Sequence, residues 1–552
     1  MLFSRTIAVG AIAALLSLGA AGAVFAAGEE EAGASGVMMS AAGVLPIVDE
    51  TVTLHVAAIP HATVEDLTTN YATEWLEQQT GVHVEWNVLP RKDARQKINL
   101  MLTSATDLPD VFLGNGVVTP EQATLYGGQG LFLPLNDFID QYSTEVKRFF
   151  EENPLIRKVG TSPDGNIYSL GNYDLCYHCY YSQRVWYNKT WLDKLGLEVP
   201  QTTDELYAVL TAFKTQDPNG NGRADEVPFT GATTGWNTTL DGYLMNPFEY
   251  NDARDRLYLD GGAVVAAFTT DGWRDGLRWM NQMYEEGLID QEGFTQDQNQ
   301  MKQGVEGETV LYGAIAAGVP AAFSLNEGEA TKHYYLLPPV AGPSGLRRTP
   351  FFPPAHGFRN GRFVITREAE HPEVAFRWAD YMYAEEATLT LYFGEQGVDW
   401  KYSEPGEVGV DDEPALFEEL TMVRGVPGQN QAWSHMSPRH ASWAIIQSRT
   451  TDPADIWYIE KRLYDATKNG QEPYGAPEEM VLPPLFVSLT DQQEFNELRT
   501  TINEFVGENI ALFVTGKLDP EGDWDAYLAE LDKIGIDRYL ELVQSTYDRD
   551  YR

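Results

Sequence analysis

Residues 217–228 read Asp-Pro-Asn-Gly-Asn-Gly-Arg-Ala-Asp-Glu-Val-Pro, with side-chain oxygens at alternate positions and a glycine where the chain must bend. A hard divalent cation takes about six to eight oxygen ligands, and a calcium loop of about twelve residues supplies them from positions one, three, five, seven, nine and twelve, with glycine at six. Asp217, Asn219, Asn221, the Arg223 carbonyl and Asp225 fill the first five of those places, and Gly222 fills the bend. Position twelve is Pro228, so the usual bidentate glutamate is absent and Glu226 is the nearest replacement. The reading is a structural calcium loop that closes early. A metal-free Asn-Gly turn is the alternative, and it leaves three crowded carboxylates to repel one another.

The two cysteines, Cys176 and Cys179, flank His178. Zinc would need two further ligands, and neither a second cysteine pair nor a histidine cluster supplies them. Redox catalysis would want the pair opening a helix after a strand, whereas it lies among Tyr173, Tyr177, Tyr180 and Tyr181. In an exported chain this spacing reads as a small structural disulfide. Export is expected because residues 1–26 join Arg5, an apolar run from Ile7 to Val24 and a small-residue end at Ala26, the pattern of a cleaved secretory signal. No cysteine follows the run, so no lipid anchor is expected, and residues 27–45 read as a flexible leader. Later stretches fall short of a membrane span, so a soluble periplasmic or secreted protein is expected.

A chain of 552 residues exceeds one hydrophobic core, so more than one lobe is expected. Its 81 acidic against 39 basic residues give a formal charge of −42, which repels nucleic acid and anionic membranes and favours neutral or cationic ligands. Residues 51–59 alternate like a strand, 64–79 carry apolar residues at helical spacing, 82–89 are again strand-like, 93–103 helical, and 110–113 form a short buried strand. That alternation describes an α/β lobe, whose ligands sit beyond the carboxyl ends of its strands. Asn115, in the Gly114-Asn115-Gly116 turn, is therefore a candidate for a cleft wall. Trp273, Trp279 and Tyr284 share a helical repeat with Leu277 and read as core.

Trp186-Tyr187-Asn188-Lys189, followed by Gly196-Leu197-Glu198-Val199-Pro200 and Asp204-Glu205-Leu206, resembles the signature of extracellular solute-binding proteins of ABC importers. The trailing loop at residues 217–228 is similar to that of the oligosaccharide-receptor branch, which includes alginate-binding proteins. Further blocks in the same order are residues 284–290, 337–343, 392–400 and 513–519. The resemblance implies an α/β, two-lobed periplasmic-binding-protein fold of class II type, with hinge crossovers and a helical C-terminal extension. It implies crossovers near residues 180–184, soon after 339, and near 394–400. The N-terminal lobe would then comprise 46–180 and 341–395, and the C-terminal lobe 181–340 and 396–552.

Sugar recognition needs flat apolar faces for the C–H side of the ring and planar polar groups for its hydroxyls. Trp236, Trp400, Trp433 and Trp443 lie in polar, turn-rich settings and are candidate stacking residues, with Asn115, Tyr181, Arg184, Glu395 and His435 as polar contacts. The lysines and arginines are not clustered in these loops, so a neutral oligosaccharide is expected rather than a polyanion. The expected function is capture by a monomer and delivery to membrane permease subunits, without nucleic acid. A receptor for peptides or other small solutes on the same fold is the alternative; a glycan-degrading enzyme would need a nucleophile motif or histidine cluster that the sequence lacks.

Overall fold

The computed structural model describes residues 31–32 and 36–552 apart from 308, 326–329, 331, 422, 424–425, 443–444, 446, 452–457 and 489. The secretory signal expected over residues 1–26 lies outside the described residues.

Two sheets organise the chain. The strand Val52–Ile59 alternates buried and exposed residues as far as Val56 and is wholly buried from there on, as its apolar run demands. It pairs in parallel with Val82–Val88 on one side and Val111–Gly114 on the other. The six-stranded order is Val82–Val88, Val52–Ile59, Val111–Gly114, Phe358–Ile365, Leu170–Asp174 and Arg439–Ala441. Phe358–Ile365 runs antiparallel to both of its neighbours. The helix Tyr71–Thr80 links the first two strands, capped by the Asn70 side chain, which accepts from the Ala72 N–H at 3.1 Å. Gly81 ends this helix at φ 75°, where a Cβ would fall 2.5 Å from the Val48 carbonyl oxygen, so only glycine fits.

The second sheet orders Tyr334–Leu337, Val185–Asn188, Tyr312–Ala316 and Val227–Thr230. Trp273, Leu277 and Met280 on the helix Asp271–Glu285 share a core with Ile502, Val506, Ile510 and Phe513 of Gln492–Val514. Trp524–Ile534 and Ile536–Tyr551 add Trp524, Tyr527 and Leu542 to the same core. The C-terminal helices thus thicken the second lobe.

The chain passes from the first sheet to the second between Asp174 and Val185 and returns between Leu337 and Phe358. It leaves again only after Ala441, and the helix Tyr458–Gly470 then packs on Tyr177–Tyr181 and Tyr334–Leu337. Residues 396–421 and 426–441, expected in the C-terminal lobe, therefore stay with the first. Gly394, at φ 107°, stops the helix Glu385–Phe393, and the Asp399 carboxylate accepts the Glu395 N–H at 2.9 Å. That tight turn folds Trp400 and Phe417 back onto Leu389 and Phe393 instead of across the cleft.

The expected flexible leader is also corrected over residues 36–45. Met39 joins Ile47 and Val48 in the first core, and Arg377 donates to the carbonyls of Ala41 at 3.0 Å and Val44 at 2.9 Å. A Gly/Ala/Ser composition reads as a linker because the guanidinium that holds it comes from far along the chain.

Candidate functional site: a cleft between two lobes

A cavity of about 320 Å³ opens between the two lobes at the first crossover. The first lobe lines it with Asp174, Arg359, Tyr392 and His435, and the second with Trp236 and Arg254. Cys176, Cys179, Tyr180 and Ser182 come from the first crossover and Phe352 from the second.

Its floor is built on one ion pair. Asp174, at the end of Leu170–Asp174, accepts from Arg439 Nε at 2.9 Å and Nη2 at 2.8 Å, and Arg439 is fully buried. A bidentate guanidinium–carboxylate pair is directional as well as strong, so it orients what lies on it. The Arg439 guanidinium sits 4.1 Å from the centre of the Tyr392 ring, and its Nη2 lies 3.3 Å from His435 Nδ1. Because a guanidinium only donates, Nδ1 accepts, and Nε2 lies 3.3 Å from the Tyr392 hydroxyl.

Trp236 is half-buried on the opposite wall. Its carbonyl accepts the Gly318 N–H at 2.9 Å. A Cβ on Gly318 would come within 2.7 Å of the indole, so glycine there makes the ring's seat. The Arg254 guanidinium lies 4.4 Å from the centre of the Phe352 ring.

The first crossover is stapled by a disulfide between Cys176 and Cys179, with an S–S distance of 2.00 Å. His178 Nδ1 lies 3.4 Å from Glu460. Burial drives the His178 pKa down to about 4, against the pull of Glu460 and with the push of Arg184 and Arg449. Cys176, His178 and Cys179 stand close enough to hold a metal, the one such group found among the described residues, but their sulfurs are bonded to each other.

Of the residues expected at the site, Trp236 and His435 meet in this cavity. Trp400 and Trp433 do not, since both are fully buried. The Trp433 indole donates to Thr73 Oγ1 at 2.8 Å and the Trp400 indole to the Gly394 carbonyl at 2.9 Å. Their turn-rich segments fold inward over the first lobe, so both rings are core. Arg184 is 1% exposed, and its guanidinium is consumed by the carbonyls of Tyr181 at 2.9 Å, Gly318 at 2.9 Å and His178. It ties the crossover to the second lobe and does not line the cavity. Tyr181 is buried against Phe351, with ring centres 5.4 Å apart. Asn115 is an exposed turn residue and Glu395 is half-buried, and neither lines the cavity. Trp443 lies outside the described residues.

Sequence reading missed Asp174, Arg254, Phe352, Arg359 and Tyr392. The run Phe351-Phe352-Pro353-Pro354 was the available signal, because two aromatic residues before two prolines belong to neither a strand nor a helix.

In the loop at residues 217–226, the Asp217 carboxylate accepts the N–H groups of Gly220 at 2.9 Å, Asn221 at 3.1 Å and Gly222 at 3.1 Å. Asn221 Oδ1 accepts the Arg223 N–H at 2.7 Å, and Gly222 bends at φ 74°. The Asp225 carboxyl is held below its usual range by hydrogen bonds from Asn221 and Asn219. Glu226 Oε1 is buried with no hydrogen-bond partner among the described residues. Burial, with the Asp217 and Asp225 charges adding to it, raises the Glu226 carboxyl. An orphaned carboxylate oxygen beside two further carboxylates is a donor set that suits a hard cation, so these residues fit calcium.

The family of bacterial extracellular solute-binding proteins matches residues 61–389. The fructooligosaccharide ABC transporter substrate-binding protein FusA of Streptococcus pneumoniae is 30% identical over 489 residues, 86% of each chain. The solved structure of FusA with kestose superposes with a TM-score of 0.74 at 28% identity, covering 90% of this chain and 99% of that one. FusA has also been solved as an EF-hand mutant with fructo-nystose. The calcium-free alginate-binding protein AlgQ2 shares the fold at a TM-score of 0.66 and 24% identity, covering 91% of this chain and 99% of that one. The two-lobed architecture and these matches place the chain among the bacterial extracellular solute-binding proteins, which are receptors and not enzymes.

Proposed function

We propose that this protein captures an oligosaccharide between its lobes and delivers it to the membrane permease of an ABC importer. The observation that carries this reading is the composition of the cleft. Trp236, Phe352 and Tyr392 bring aromatic rings to the cavity, and Asp174, His435 and Arg359 bring hydrogen-bonding groups to the same space. The 30% identity with a fructooligosaccharide receptor supports the same ligand class. A sugar touching both walls stabilises the closed arrangement by the contacts that the open one lacks, and the closed form docks on the permease. The chain works as a monomer, exported by its N-terminal signal, and the ATPase belongs to a separate subunit.

Calcium is structural in this reading. Asp217, Asn219, Asn221, Asp225 and Glu226 would hold it through side chains and Arg223 through its carbonyl. When bound, the ion would neutralise the clustered carboxylates and stiffen the loop, none of whose residues lines the cavity.

Titration calorimetry with fructo-, gluco- and manno-oligosaccharides tests the function, with short peptides as the competing ligand class. Binding of at least one oligosaccharide is expected, and Trp236→Ala weakens it by about 1 kcal/mol or more while the melting temperature is kept. Peptide binding without any oligosaccharide binding overturns the reading.

A further inference from the structure

Each wall of the cleft carries a guanidinium that no carboxylate among the described residues contacts, although Asp174 and Glu460 line the same cavity. On the first lobe, Arg362 feels burial first and then the charge of Arg439, with Arg359 adding to it and Asp174 as the opposing carboxylate. Both oxygens of Asp174 are already engaged by Arg439. Arg362 is 1% exposed, and its Nε and Nη2 have no partner among the described residues, while Nη1 reaches the His435 carbonyl. Arg359 lines the cavity from an exposed position. Arg254 faces the same cavity from the second lobe, with Phe352 under its guanidinium. Among the described residues, neither Arg254 nor Arg359 has a carboxylate within 4.0 Å.

A chain with 81 acidic residues has carboxylates in excess, so two cavity-lining guanidiniums left without one point to a function. Closing the lobes presses like charges toward each other. An anion between them turns that repulsion into attraction from both sides. The fork of a guanidinium matches the two oxygens of a carboxylate. Screening confines the chain's overall negative field to about 10 Å at ordinary salt, so at contact the local cations decide.

We propose that the captured oligosaccharide bears a carboxylate, as a uronic acid ring does, and that Arg359 and Arg254 clasp it from the two lobes. This rests on the oligosaccharide-receptor reading above.

The test is calorimetry on the full chain with short uronic-acid oligosaccharides and with their carboxyl-reduced counterparts, which differ only in that group. The acid form is expected to bind about tenfold tighter or more, the scale of a charge-assisted hydrogen bond. That ratio shrinks as sodium chloride is raised, because the preference is electrostatic. Arg359→Gln and Arg254→Gln each reduce the acid-to-neutral ratio, with circular dichroism and melting curves confirming the fold. If the reduced sugar binds as well as the acid, or if only neutral oligosaccharides bind, the inference falls and the receptor reading stands. Failure to bind any oligosaccharide, acidic or neutral, overturns both.

Discussion

In the loop at residues 217–226, the Asp217 and Asp225 carboxylates and the Asn219 and Asn221 amides find their hydrogen-bond partners within six residues, as in the 3.0 Å contact from Asn219 to Asp225. In the cleft, Asp174 is held by Arg439 and the Trp236 wall by Gly318, partners brought together only by the packing of whole lobes. The loop is a local object whose geometry follows from residue spacing. The cleft is a by-product of two cores and one crossover, so a change beneath it acts through stability before it acts through contact with ligand.

Trp433 is the sharpest way to break that contrast. It sits in the first core beside Trp378 and Trp86, with ring centres 6.1 and 5.6 Å away, and is fully buried. Trp433→Ala is expected to cost about 3–5 kcal/mol of unfolding free energy, read by denaturant titration, whereas half-buried Trp236 bears on affinity. A Trp433→Ala protein of normal stability and poor sugar binding would return that ring to the cleft and dissolve the distinction.

Chelation sharpens the comparison from the other side. If the loop holds calcium, the ion at 100 times its dissociation constant would stabilise the folded chain by about 2.7 kcal/mol, and EDTA is expected to lower the melting temperature and to leave sugar affinity in place. Glu226→Gln removes charge from the carboxylate whose Oε1 is buried and orphaned, and is expected to shrink the calcium-dependent shift. Identical melting curves with and without EDTA would remove the metal.

The same contrast explains how much could be read from the sequence. The strands of the first lobe were legible from alternating burial at residues 52–56. The tight turns of the loop were legible because Asp217, Asn219, Asn221 and Asp225 lie close together in the sequence. Trp236 and His435 were found because polar, turn-rich surroundings do mark many cleft residues, but the same rule misplaced Trp400 and Trp433, since local composition does not say which side of a loop faces a core. Arg254 and Arg359 stayed hidden, separated by more than a hundred positions and joined only by the fold. Counting charges over the whole chain hides the arginines that the fold brings to one cavity.

His178 gives the smallest and most specific probe, because it lies at the crossover where the two lobes meet. Its pKa is about 4 in the folded chain against 6.5 for a free histidine, with burial as the main cause. Between those values the unfolded chain binds more protons than the folded one, so the stabilising contribution is complete above pH 6.5 and is lost as pH falls toward 4. The loss by pH 4.5 is on the order of 2 kcal/mol. His440, also lowered to about 4 mainly by burial, adds in the same direction. Glu226 opposes both, since a carboxyl raised by burial takes up its proton earlier in the folded state. The His178 share is therefore read as a difference. Melting curves of the wild type and His178→Gln between pH 7 and 4.5 are expected to converge on acidification, because the glutamine cannot charge. Parallel curves across that window would mean that the crossover is open enough to water for His178 to titrate normally, and that the cleft is less dependent on buried packing than the loop comparison implies.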